Sequence, residues 1–159
     1  MIETLKSKLK DDELNEILDN LLHHAMMMNK AKAGTLQLIN KKDHTLDIAS
    51  SFGLSPEFIE NFMVVTSDDG SVCGRALSKR ETIFIDDLTT DKLFSKHLNL
   101  ALQNNIVAVS STPLISSLDK VIGMISVHFN TSRKLSKNNI EEMELFCRKA
   151  ADKIEELSC

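Results

Sequence analysis

A chain of 159 residues, 42% apolar and 26% charged, has the material for one soluble domain with a sizeable core. Its formal net charge is −4, and no run of Lys and Arg gives the footprint that nucleic-acid binding requires; Lys6, Lys8 and Lys10 are answered at once by Asp11, Asp12 and Glu13 and read as a solvated helix face. No apolar run approaches the ~20 residues of a membrane span, the charged, periodic N-terminus is not a secretory signal, and three irregularly spaced cysteines, Cys73, Cys147 and Cys159, fit a reducing cytosol better than a disulfide framework.

In chain order, Leu14, Leu18, Leu21, Ala25 and Met28 recur at steps of four and three, which predicts a helix over 11–31, within an N-terminal helical region 1–31, stopped at Gly34. TLQLIN (35–40) and TLDIASSF (45–52) alternate as strands do, and NKKDH between them makes an antiparallel hairpin. SPEFIENF (55–62) carries a helix start, with Ser55 as cap, Pro56 in the first turn and Glu57 at the positive end of the dipole. Ser71 caps a short helix through about Lys79, TIFIDD reads as a strand, and 91–105 reads as a further helix. IVAVSSTPLIS (106–116) and KVIGMISVHF (120–129) are strands joined by a second hairpin, with Pro113 confined to a position that donates no ladder bond. A last helix over 136–157 starts at Ser136; Ile140, Met143, Cys147, Ala150, Ile154 and Leu157 form an a/d seam suited to helix–helix pairing.

Hairpin-joined strands outnumber crossovers, so the expected class is α+β: a mostly antiparallel sheet with the terminal helices on one face. No repeat or linker divides the chain, so residues 1–159 are expected to form a single domain, with sheet and pocket over 35–130.

Four segments carry a resemblance along this frame: LDIASSFGLSPEFIENF, DDGSVCGRAL followed by TIFIDDL, VAVSSTPLI and VIGMISVHF. In order and spacing they resemble a GAF domain over roughly residues 12–157, nearest to the GAF modules of bacterial sensor histidine kinases. The resemblance implies a sheet of about six strands. Terminal helices cover one face, and loops and short helices enclose a small-molecule pocket on the other. It also implies a homodimer through those helices.

Cys73 is the first candidate site residue. At a helix N-terminus the dipole favours thiolate. The family members that reduce free methionine sulfoxide resemble the chain at SVCG, but they use further cysteines in a segment that here, at 86–105, holds none. A small buried side chain beside Gly74 is therefore the favoured reading, with close packing of that turn on the sheet as the reason for the glycine. Covalent bilin is argued against as well: Lys96 precedes His97 where the family's pigment-binding pair has its cysteine, and the Asp-Ile-Pro signature is absent. The cyclic-nucleotide pattern is likewise missing.

His128 shares a strand face with Ile122, Met124 and Ser126, opposite the wholly apolar Val121, Gly123, Ile125, Val127 and Phe129. On the neighbouring strand Ser110 and Thr112 share a face and Ser111 takes the other, with the register between strands open. A polar-lined pocket of His128, Ser126, Ser110 and Thr112, with Cys73 nearby, is the hypothesis; hydroxyls and imidazole satisfied at a sheet edge is the alternative. His23 and His24 point about 100° apart on a helix and do not chelate one ion. No phosphate loop, nucleophile elbow or metal-type Cys/His cluster stands out.

The expected function is a non-catalytic, cytoplasmic sensory domain. It would bind an unidentified small molecule and couple occupancy to terminal-helix packing, dimerisation or a sensor kinase. No nucleic acid or membrane partner is expected, and no cofactor is identified. The alternatives are a thiol-dependent methionine sulfoxide reductase using Cys73 and a ligand-free structural dimerisation module.

Overall fold

The computed structural model describes the backbone of residues 2–158 and the side chains of residues 11–157; the Lys6, Lys8 and Lys10 side chains and Cys159 lie outside the described residues. Helix α1 spans Ile2–Met28. It ends earlier than Gly34, in a motif built on Lys30 at φ 54°. The Lys30 N–H bonds to the Met27 carbonyl and the Ala31 N–H to the Met26 carbonyl, which closes the helix as a glycine ordinarily would. Gly34 instead lies inside the first strand, β1 (Ala33–Ile39).

The strand β1 pairs antiparallel with β2 (Leu46–Phe52) through the expected hairpin, with an irregularity between Leu36 and Gln37. Helix α2 (Pro56–Asn61) follows, capped by Ser55, whose hydroxyl accepts from the Phe58 N–H at 3.2 Å. Then come a two-residue strand absent from the sequence reading, β3 (Val64–Val65), helix α3 (Val72–Lys79) and strand β4 (Ile83–Ile85). The single helix expected over 91–105 is broken. Leu88–Thr90 and Lys92–His97 are 3-10 turns, and only α4 (Leu98–Gln103) is α-helical. Two aspartates set this pattern: Asp87 accepts from the Thr89 N–H, and Asp91 accepts from the Phe94 N–H, so local capping competes with one continuous helix. The hairpin of β5 (Ala108–Ile115) and β6 (Val121–Phe129) leads to α5 (Lys137–Ser158). At its start the Ser136 hydroxyl accepts from the Asn139 N–H, and the Asn139 side chain accepts from the Ser136 N–H.

The six strands form one antiparallel sheet in the order β3-β2-β1-β6-β5-β4, which is the α+β architecture expected. The terminal helices cover one face: Leu18, Leu22 and Ala25 of α1 and Met143, Cys147, Ala150 and Ile154 of α5 meet Leu36, Ile125, Val127 and Phe129 of the sheet. The middle of the α5 seam, Met143, Cys147, Ala150 and Ile154, is thus buried within the chain, with Ile140 and Leu157 half-buried at its ends, while Met27 and Leu145 stand exposed. A second core, with Phe58, Phe62, Val72, Leu88, Phe94 and Met124, forms on the other face beneath α2, α3 and α4. Pro113 lies beyond the reach of β4, which pairs only with Val109–Ser111, so its missing N–H interrupts nothing on that side.

Candidate functional site

The register fixes which polar groups meet. Across the three central strands Thr35 of β1 pairs with Ser126 of β6, and Ser126 with Ser111 of β5. The three hydroxyls form a row, and the Ser111 and Ser126 Oγ atoms are 2.6 Å apart. Gln37 of β1 and His128 of β6 flank the row on the same face. These five side chains and Cys73 line a cavity between the sheet and the short helices.

Of the residues predicted for the site, the structure brings together His128, Ser126 and Cys73. Ser110 and Thr112 are not with them. Ser110 pairs with Val127 and Thr112 with Ile125, both on the face under the terminal helices, and Thr112 meets the Thr82 hydroxyl at 3.3 Å. The pocket-side hydroxyl of β5 is Ser111. Gln37, Thr35 and Ser111 were missed; the signal for Gln37 was its alternation with Leu36 and Leu38, which face the helices.

The roof is aromatic. Phe58 on α2 and Phe62, the residue that ends it, have ring centroids 4.6 Å apart, and Phe62 lies nearly parallel to Phe94 at 6.5 Å. Phe58 meets the His128 ring edge-on at 5.6 Å. His97 ties the roof together. Its Nε2 lies 2.9 Å from the Asp69 carbonyl oxygen, so Nε2 carries the proton, and its Nδ1 accepts from the Asn61 amide at 3.1 Å. Asp69 in turn accepts from the Thr66 and Ser71 N–H groups and from the Ser71 hydroxyl. Ser71 caps α3 by accepting from the Gly74 N–H at 3.0 Å. Gly74 is required by a close approach, although to the 66–71 loop and not to the sheet: a Cβ there would collide with the Thr66 carbonyl oxygen. Arg75 adds an ion pair to Asp91 at 3.1 Å.

Electrostatically the cavity is neutral. Among the described residues no Asp, Glu, Lys or Arg lines it. Burial lowers the His128 pKa to about 4, which keeps the imidazole uncharged near neutrality. Burial also raises the Cys73 thiol, against opposing side-chain hydrogen bonds with Ser71, at 3.5 Å, and with Gln37. Burial therefore favours the neutral thiol form of Cys73. The other buried cysteine, Cys147, belongs to the core on the far side of the sheet. Among the described residues no group of His, Cys, Asp and Glu is placed to hold a metal ion.

Two buried polar atoms at this cavity have no hydrogen-bond partner, Gln37 Oε1 and His128 Nδ1. Their residues are 1% and 6% exposed. The cavity measures about 30 Å³, room for a water or two. Beyond it an open groove of about 170 Å³ is lined by Lys32, Asn104, Asn105 and Asn130, and Ile106 and His128 line both spaces.

Comparison with known proteins agrees with this architecture. Among solved structures, a domain described as part of a two-component sensor histidine kinase from Sinorhizobium meliloti superposes with a TM-score of 0.74 at 13% identity, covering 91% of this chain and 92% of that one. The type II free methionine-R-sulfoxide reductase of Thermoplasma acidophilum gives 0.75 at 12%, covering 93% and 96%. The blue-light absorbing form of the Thermosynechococcus elongatus PixJ GAF domain gives 0.71 at 12%, covering 94% and 89%. At such identities the likeness is one of fold, and it spans domains of different activity. No curated protein matches the sequence, and no described helix is long and apolar enough to cross a membrane. The sequence profile of the GAF domain matches residues 11–155, and the chain belongs to the GAF domain family.

Proposed function

We propose that residues 1–159 act as one non-catalytic sensory unit that binds a small molecule between the polar row of the sheet and the aromatic roof. The observation that carries this reading is the pair of unpartnered buried atoms, Gln37 Oε1 and His128 Nδ1. A buried polar group left unsatisfied is unfavourable by about 1–3 kcal/mol, and a ligand that bonds both removes that penalty. GAF domains are in general sensory modules, which favours signalling as the setting.

Output would run through the sheet. Ser126 and His128 face the cavity, while Val127 and Phe129 on the same strand carry the terminal helices. A ligand that binds two packings of this strand unequally shifts the helices between them. The middle of the α5 seam is already packed on the sheet, so a homodimer would use the outward helix surfaces around Met27 and Leu145. A sensor kinase in the cytoplasm is the partner this reading implies.

A thermal-shift screen of small metabolites tests it. A ligand raises the melting temperature according to its concentration relative to Kd, and His128→Ala should abolish the shift. Hits that bind His128→Ala unchanged would sink the reading.

The small volume of the cavity, about 30 Å³, favours a second reading, a structural module without ligand. The buried thiol of Cys73 and the absence of a nearby described cysteine speak against the reductase chemistry.

A further inference from the structure

We propose that the cavity selects a compact, flat, uncharged molecule that offers an N–H or O–H donor to Gln37 and a hydrogen-bond partner to His128, and that it rejects anions and cations of the same shape. This rests on the reading of the cavity as a ligand site and specifies what chemistry the site accepts.

Three observations carry it. The first is the donor–acceptor inventory. An amide oxygen only accepts, so Gln37 Oε1 asks for a donor; His128 Nδ1, on a ring with one proton to share between two nitrogens, takes either role. The second is the missing counter-charge. Among the described residues no ionised side chain lines the cavity. The nearby carboxylate of Asp69 is committed at both oxygens, one to Thr66 and the other to Ser71. An ion placed here would lose its water and gain no opposite charge, a far larger penalty than burying a neutral amide that finds its hydrogen bonds. The third is shape. About 30 Å³ is room for a water or two, so only a molecule of very few heavy atoms enters without a large displacement of the roof, and Phe62 and Phe94, at 9° to one another, present flat apolar walls.

Formamide, formate and formamidinium are isosteric and differ in charge, so they separate these effects. Each would be titrated into the 15N-labelled protein at pH 7.5 and constant ionic strength, following the backbone amides of Gln37, Ser126 and His128 and the Gln37 side-chain amide. A three-heavy-atom probe binds no tighter than roughly millimolar, so the titration extends to several hundred millimolar. Formamide is expected to shift these signals saturably, with an affinity at least tenfold above either ion. Gln37→Met, similar in volume but without the acceptor, should weaken formamide roughly five- to tenfold. His128→Phe, which keeps a ring against Phe58, is the second variant should the first not fold. Formate or formamidinium binding as well as formamide at the same residues would overturn the charge selection and leave a ligand site in place. No saturable shift from any of the three probes would overturn the ligand site as well.

Discussion

His128 is the residue on which most of the site's behaviour converges. The residue is 6% exposed, its ring lies edge-on to Phe58, and among the described residues no carboxylate lines its cavity. The fold therefore depresses its pKa from 6.5 to about 4. The sign of the linkage follows. Between those values the unfolded chain binds a proton that the native state refuses, so stability falls as pH drops from 6.5 toward 4 and levels off below. The full span is on the order of 3 kcal/mol. Denaturant midpoints taken between pH 7.5 and 4 should decline more steeply for the wild type than for His128→Gln, which does not titrate. Equal slopes in the two proteins would show that His128 is not buried as described. Cys73 illustrates the opposite lesson about single residues. Its place at a helix start suggests a thiolate, but burial raises the thiol's pKa.

At the scale of elements, the roof depends on how α3 begins. Ser71, Asp69 and Thr66 form one capping network, and Gly74 lets the helix approach the Thr66 carbonyl. Helix propensity alone predicts that Gly74→Ala stabilises the protein by about 1 kcal/mol. The close approach predicts the reverse, a loss of about 1–3 kcal/mol, because the 66–71 loop must move. Urea unfolding decides between the two by the sign of the change. Elements whose signals are local were legible in the sequence: the Ser55 and Ser71 caps, both hairpins and the periodic helices. Elements decided by competition were not. Lys30 closes α1 in a conformation more usual for glycine, the Asp87 and Asp91 caps break the 91–105 segment into 3-10 turns, and β3 exists only because β2 offers an edge to pair with.

At the scale of the whole molecule, the sheet separates two cores, and each central strand belongs to both. Strand parity alone sorted the two faces of β6 from Met124 to Phe129. It left β5 ambiguous, because Ser110 and Thr112 on one face and Ser111 on the other are equally polar. Only the pairing of Ser111 with Ser126, a long-range fact, resolves which hydroxyl meets the cavity. Gln37 was hidden for the same reason, since it faces the cavity only once β1 is set beside β6 at the centre of the sheet. The site is assembled by register, whereas the fold class follows from local pattern. The central claim, a non-covalent ligand held on the polar face of the sheet, is tested most directly by titrating formamide into the 15N-labelled protein and following the amides of Gln37, Ser126 and His128. The account predicts saturable shifts at these residues that weaken roughly five- to tenfold in Gln37→Met. Shifts that do not saturate, or that are unchanged in Gln37→Met, would contradict it.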